Sequence, residues 1–144
     1  LFRLSRGSEY AIRGILHLAL EPVGKISFIE EIAEAQEVPK AYLAKIFQTL
    51  CKKGFLKSTR GPGGGFALIK SASDISMLEI IEAMEGPINL NDCLIRKGYC
   101  SREKRCPVHD VWRDAQDRFL DYLRNCSFQK LADDSRVKQA AAGL

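Results

Sequence analysis

Apolar positions recur at steps of three and four along most of the chain, and the breaks in that rhythm divide it into elements. Ala11, Ile12, Ile15, Leu16 and Ala19 form one stripe, which predicts a first helix over residues 8–20. Glu21-Pro22 and Gly24 end it. His17 lies off the stripe and is expected to be exposed. Ser27 and Glu30 have capping-box spacing, so a second helix is expected from Ser27 to about Gln36, with Ile29, Ile32 and Ala33 inward. Pro39 suits the first position of a third helix. Leu43, Ile46, Phe47 and Leu50 give its core face, and Gly54 its stop. The opposite face holds Ala41, Lys45, Gln48 and Lys52: small, basic and hydrogen-bonding side chains. Two short helices on a tight turn, the second outwardly basic, form a helix-turn-helix pattern.

The period then changes. Phe55–Arg60 and Phe66–Lys70 read as two short strands around a Gly/Pro turn, a hairpin in the position of a wing. Ser76 and Glu79 open a fourth helix, with Leu78, Ile81 and Met84 inward and Gly86-Pro87 at its end. No periodicity is present from Ile88 to Arg105. A long helix is expected from Pro107. Val108, Trp112, Ala115, Phe119, Tyr122 and Cys126 alternate by four and three, the seam of a helix that packs on another helix. Leu120 and Leu123 widen the apolar surface, and Arg113–Asp117 and Asp114–Arg118 are spaced to pair. The seam predicts dimerisation; folding back on the helix's own domain is the alternative. The fold class expected is mainly α with a small β wing. A winged helix-turn-helix domain covers 1–87, a cysteine-bearing loop 88–106, a dimerisation helix 107–135 and a tail 136–144.

Charge sharpens the reading of the third helix and wing. The net charge is only +4, but residues 38–70 hold seven basic side chains and no acidic one. Residues 71–144 hold eleven basic and twelve acidic side chains, so the excess is local. Such a block suits a polyanion, with a solvated basic face as the plainer reading. No apolar run approaches the ~18 residues of a membrane span. Arg3, Arg6, Glu9 and Arg13 make the first twenty residues unlike a signal peptide, so the cytoplasm is the expected compartment. With no paired carboxylates, no nucleophile–base pair and only two histidines, an enzyme is not expected.

The run "RGPGGGF", Arg60 to Phe66, lacks the Lys-Ser/Thr pair of a nucleotide P-loop. Gly61 and Gly63 fit the start of a dinucleotide fingerprint, but Phe66 breaks it and a strand follows. A hairpin turn remains. In this context a glycine-rich tip (Gly61, Gly63, Gly64) lets backbone amides approach a phosphate chain, while Arg60 is placed to enter a minor groove.

Of five cysteines, three cluster as Cys93-x6-Cys100-x5-Cys106-x2-His109, which makes a plausible four-ligand site. The odd count argues against a disulfide framework. Cys106 and His109 are three apart at a helix start and face one point, with the helix dipole behind the thiolate a metal needs. Arg96, Lys97, Arg102, Lys104 and Arg105 favour the same charge. Spacing leaves the metal open. No C-x2–4-C zinc knuckle is present, and wide gaps wrap an iron–sulfur cluster more easily. A redox thiol pair, or free thiols in a basic loop, also fits. Cys51 and Cys126 fall on helical core faces and read as packing residues.

Together, "YLAKIFQTLCKKGFLKSTRGPGGGFAL" and "CPVHDVWRDAQDRF" resemble the IscR/NsrR family of winged-helix bacterial transcription regulators, over about Leu4 to Asp134. The resemblance implies a homodimer on palindromic promoter DNA and an iron–sulfur cluster on Cys93, Cys100 and Cys106. His109 matches the histidine that completes a two-iron cluster in the IscR branch, and a 2Fe-2S cluster is favoured over 4Fe-4S. Glu9 matches the acidic residue that, from the other subunit, ligates a four-iron cluster in the NsrR branch. The first cysteine gap is six residues, where IscR-type sequences usually have five.

The expected function is a homodimeric regulator whose promoter binding responds, through the cluster, to iron–sulfur status, nitric oxide or redox stress. Lys40, Tyr42, Lys45 and Gln48 would meet phosphates or base edges in the major groove, and Arg60 with the glycine tip the adjacent minor groove. No small-molecule substrate is expected. An iron–sulfur carrier would have no use for the basic segment or the wing, and salt-dependent DNA binding separates the two. Metal analysis separates a zinc-stabilised winged-helix module that binds proteins.

Overall fold

A computed structural model describes residues 2–144. Six helices and one hairpin follow in order: α1 Arg6–Leu20, α2 Ile29–Gln36, α3 Lys40–Lys52, β1 Leu56–Thr59, β2 Gly65–Leu68, α4 Met77–Glu85, α5 Pro107–Arg124 and α6 Phe128–Ala141. The expected class, mainly helical with a two-stranded wing, is what is observed. Among the described residues no helix is long and apolar enough to cross a membrane.

Helix α1 is the axis of the core. It starts two residues earlier than its apolar stripe suggests because the Ser5 hydroxyl accepts from the Ser8 amide at 3.1 Å. The Ser5 amide in turn donates to Glu85 Oε1 at 2.5 Å, tying the start of α1 to the end of α4. Burial pushes the Glu85 carboxyl up, but the hydrogen bonds from Ser5 and Ser8 outweigh it and hold it below its ordinary value. His17, expected to be exposed, is half-buried instead, 3.3 Å from Glu21 and 3.4 Å from Gln36.

The capping box expected at Ser27 does not form. Helix α2 opens at Ile29 without a side-chain cap. The backbone of Ser27 is committed elsewhere: its amide donates to Phe66 O at 2.9 Å and its carbonyl accepts from Phe66 at 2.8 Å. Ser27 therefore adds a single extended rung to the wing, and the chain cannot turn helical until two residues later. The α2–α3 turn is made by Glu37 in the left-handed region (φ 55°), and Val38 donates back to Ala33 O at 2.9 Å. Pro39 caps α3 rather than starting it.

At Ser76 the capping box is complete: its amide donates to Glu79 Oε2 (2.8 Å) and its hydroxyl accepts from the Glu79 amide (3.2 Å). The long helix begins at Pro107 as expected but stops at Arg124. Ser127 caps a new helix by accepting from the Lys130 amide at 3.1 Å. The connecting backbone is held at the start of α4: Met77 donates to Cys126 O and Phe128 to Ile75 O, both at 2.9 Å. Cys126 thus lies in a connection rather than on a helical face. Helix α6 returns to the core, with Phe128 and Ala132 fully buried beside α1, and its helix continues through the expected tail to Ala141.

Close approach of α1 and α3 is set by Gly14, where an added Cβ would stand 2.4 Å from the Phe47 ring. Phe47 cannot yield easily. It is fully buried and its ring meets Phe66 edge-on at 5.1 Å. Alanine at 14 would gain about 1 kcal/mol of helix propensity and lose about 1–3 to overpacking. We expect Gly14→Ala to lower the urea midpoint with an unchanged m-value.

Candidate nucleic-acid interface and cysteine loop

Core packing of Leu43, Ile46, Phe47 and Leu50 fixes the rotation of α3, and so leaves Ala41, Tyr42, Lys45 and Gln48 on the open side. Lys45 and Gln48 are exposed one turn apart. Tyr42 is half-exposed, and its ring stands edge-on to Tyr10 of α1 at 5.5 Å, with the Arg13 guanidinium 5.8 Å from the Tyr10 centroid. Lys40 is not free: its Nζ lies 2.6 Å from Glu30 Oε1 of α2. That contact holds the Glu30 carboxyl below its usual value. Glu30, expected to cap α2 with Ser27, pairs with Lys40 instead, and neither that role nor the place of Tyr10 is readable from the sequence, because both come from the α2–α3 and α1–α3 crossings.

The wing pairs Leu56 with Leu68, Lys57 with Ala67, Ser58 with Phe66 and Thr59 with Gly65, leaving a five-residue tip. Arg60, Gly61 and Gly63 are exposed there. Gly64 is buried, and its amide donates to Gly61 O at 2.9 Å, so that group is spent within the tip. An added Cβ on Gly64 would stand 2.3 Å from Thr59 O; one on Gly65 would stand 2.2 Å from Ser27 O. Two of the four glycines are therefore required by packing, and the outward surface belongs to Arg60, Gly61 and Gly63.

The cysteine loop lies against the N-terminal half of α5. The Leu90 amide donates to Gln116 Oε1 at 2.7 Å and anchors the start of the loop. All five thiols are free and half-buried. Burial pushes the Cys51 thiol up, in keeping with a packing role. Cys106 occupies the N-cap of α5 and makes no capping hydrogen bond, while His109 one turn later is only 5% exposed. An open cavity of about 410 Å³ is lined by Cys93, Leu94, Arg96, Lys97, Glu103, His109, Arg113 and Gln116. Cys93 and His109 thus share one hollow, whereas Cys100 and Cys106 do not line it. Among the described residues, no three of His, Cys, Asp and Glu come together as a metal-holding group. Glu9 is exposed in a separate hollow with Arg3, Leu4, Ser5 and Arg6. The donor chemistry fits a soft, thiophilic metal: three free thiols in a basic loop, and a buried imidazole whose Nδ1 has no hydrogen-bond partner.

Helix α5 has two apolar strips. One, ending in Phe119, Leu120 and Leu123, packs on Leu78, Ile81 and Ile88. The other leaves Val108, Val111, Trp112 and Tyr122 exposed, Tyr122 at 73%, with Ala115 half-buried between them. Phe119 is shared between the strips. Asp114 pairs with Arg118 as the spacing suggests, at 3.1 Å, but Arg113 pairs with Asp110 (3.0 Å) rather than Asp117.

Comparison with known proteins gives one consistent picture. Residues 4–134 match the Rrf2 family, described as an iron-dependent transcriptional regulator. The HTH-type transcriptional regulator IscR of Pectobacterium carotovorum is 34% identical over 139 residues, 96% of this chain and 84% of that protein. Among solved structures, CymR, the global cysteine regulator of B. subtilis, superposes with a TM-score of 0.76 at 24% identity, covering 92% of this chain and 98% of that one. IscR of T. potens gives 0.73 at 23%, covering 96% and 91%. At such identities the structural likeness is one of fold.

The Glu30–Lys40 pair yields a prediction. Glu30→Gln releases Lys40 toward phosphate, so affinity for random-sequence duplex DNA should rise. The slope of log K against log salt should steepen by about 0.9 for each further phosphate neutralised. An unchanged slope in fluorescence-anisotropy titrations would show that Lys40 does not reach the phosphate chain.

Proposed function

The chain belongs to the Rrf2 family of transcriptional regulators, and on that footing we propose that its promoter binding is gated by an iron–sulfur cluster held in the loop before α5. It is a DNA-binding regulator and not an enzyme. The observation that carries the cluster reading is that His109, whose buried Nδ1 has no hydrogen-bond partner, lies one helical turn from the capping position of Cys106 and lines the same hollow as Cys93. A buried polar atom without a hydrogen-bond partner costs free energy, which a bond to a metal would offset. Cys93, Cys100, Cys106 and His109 would hold the group. A two-iron cluster is preferred over a four-iron one because His109 lines the same hollow as Cys93. When bound, the cluster supplies a centre sensitive to iron–sulfur supply, oxidants and nitric oxide.

The rest follows from this chain's own side chains. Two copies would pair through the exposed strip of α5 formed by Val108, Trp112, Ala115 and Tyr122, with Phe119 at its edge. Two-fold symmetry then sets both copies of α3 toward a palindromic site, with half-sites one or two turns apart, ~34 Å per turn. Tyr42, Lys45 and Gln48 face base edges and phosphates, Lys40 takes a phosphate on leaving Glu30, and Arg60 with Gly61 and Gly63 follows the neighbouring minor groove. The cysteine loop and the pairing strip sit on one helix, so a change in the loop bears on the spacing of the two recognition helices. A tenfold change in affinity needs only about 1.4 kcal/mol of coupling.

Two experiments test this reading. Anaerobic purification should give a coloured protein with iron and acid-labile sulfide in equal amounts, and Cys93→Ala should lose both and shift promoter affinity about tenfold or more. Protein without iron and sulfide sinks the cluster, and unchanged affinity in Cys93→Ala sinks the gating. Separately, Tyr122→Glu should convert a dimer to a monomer in sedimentation equilibrium and weaken operator binding while leaving the helical circular dichroism intact. A monomeric wild type would remove the pairing role of α5.

A further inference from the structure

Helix α1 carries basic side chains that neither the core nor the open face of α3 accounts for. Gly7 and Gly14 mark the side of α1 turned to α3: an added Cβ on Gly7 would stand 3.4 Å from the Tyr42 hydroxyl, and one on Gly14 would stand 2.4 Å from Phe47. Tyr10 lies beside that line, its ring edge-on to Tyr42 at 5.5 Å. Arg6 and Arg13 are two helical turns apart, so they share one strip of α1, and both are exposed. The Arg13 guanidinium lies 5.8 Å from the Tyr10 centroid. Tyr42 is half-exposed at the edge of α3, so the line Lys45, Tyr42, Tyr10, Arg13 leads from the open face of α3 onto α1.

Pairing separates these arginines from cations elsewhere in the chain. On α5 and α6, Arg118, Lys130 and Arg136 each have a carboxylate partner, at 3.1, 2.8 and 3.2 Å. On the α2 side of α3, Lys40 has Glu30. Among the described residues Arg6 and Arg13 have no ion-pair partner, although Glu9 is spaced to reach either one. Exposed cations left unpaired beside a basic helix keep their charge for an outside anion.

We infer that α1 is a second phosphate-contacting element, in which Arg6 and Arg13 hold the DNA backbone beside the groove that α3 enters. Tyr10 is a positioning residue. Its ring supports the Arg13 guanidinium from one side and abuts Tyr42 on the other, which ties the arginine to α3. Phosphate contacts carry no sequence information but fix register and orientation. The inference rests on the placement of α3 on DNA proposed above.

Fluorescence anisotropy of the full chain over a salt series tests it, on two duplexes of unrelated sequence, each about three helical turns long. Arg6→Gln and Arg13→Gln should each lower the slope of log K against log salt by about 0.9 per bound subunit, and the double variant by about twice that. The fold-loss in affinity should be the same on both duplexes. Lys130→Gln, on α6, should leave the slope at the wild-type value. Tyr10→Leu should lower the slope as Arg13→Gln does, and Tyr10→Phe should keep it. An unchanged Tyr10→Leu slope removes the positioning role. A double variant that loses slope only because it is monomeric in sedimentation equilibrium places the arginines at a subunit contact and overturns the inference. Wild type without salt-dependent binding would sink the placement of α3 on DNA and this inference with it. A steep wild-type slope that the double variant keeps sinks this inference alone.

Discussion

The ring of Phe47 is the contact on which the rest of the structure depends. It occupies the space where a side chain on Gly14 would begin, so α1 and α3 cross with no side chain between them at that point. The same ring meets Phe66, the first apolar residue of β2, and Phe66 is also the residue that pairs with Ser27 through both backbone groups. One aromatic side chain therefore sets the distance from α1 to α3 and the attachment of the wing to it. Buried aromatic side chains act over a large area and tolerate little displacement, because the interior is close-packed. The wing needs that support. A two-stranded hairpin alone is marginal in water, and this one is held by Phe66, by the Ser27 rung, and by the close approach of Gly65 to Ser27.

Helix α5 is constrained differently. Its stripe at steps of four and three is wider than one contact requires, and the structure divides it. Leu120 and Leu123 are spent on α4, whereas Val108, Val111, Trp112 and Tyr122 are not spent within the chain. Exposed apolar residues scattered singly need no explanation, but four on one helical face form a patch of the kind that marks an association surface. Its charged residues pair along the helix, Arg118 with Asp114 and Arg124 with Asp121, which keeps the outer face soluble beside that patch.

Most of the fold is legible in the sequence because local rules and tertiary packing agree over it. The helical period of α1, α3 and α4, the Ser76–Glu79 box and the turn after Gly61 each point to the element that forms. Where sequence and structure part, the cause is shared: a group is claimed by a distant segment. Ser27 has a capping sequence, yet Phe66 takes its amide and carbonyl. Cys126 continues a seven-residue pattern, yet Met77 takes its carbonyl and the helix ends. His17 falls off the stripe, yet Gln36 of α2 lies against it. The cysteine loop divides in the same way. Its donor types and the place of Cys106 at a helix start are readable from spacing. The hollow that Cys93 shares with His109, and the anchoring of Leu90 by Gln116, are not, because they depend on where an irregular segment lies on α5. In the wing, the sequence puts Gly61, Gly63 and Gly64 together at the outward tip; packing takes Gly64, with Gly65, for close approach within the protein and leaves Gly61 and Gly63 facing outward.

The two hydrophobic clusters meet at Ile12 and Met77, which pack against both. The α4–α5 cluster is thereby continuous with the core that orients α3. Moving α5 relative to α3 inside one chain would open gaps in that core, and cavities there cost on the order of 2–5 kcal/mol for each large side chain left unsupported. A regulatory change of about 1.4 kcal/mol per tenfold is smaller than that. Its cheapest route is therefore at the edges of the packed body, in the cysteine loop and the exposed strip of α5, where side chains are half-buried or bare. In a pair of chains joined along that strip, a small rotation at the seam reorients two rigid DNA-reading units without disturbing either core. On the function proposed, the division of labour would be between a stiff body that presents α3 and the wing, and a soft margin around Cys93–His109 and Tyr122 that would set the angle at which two such bodies meet.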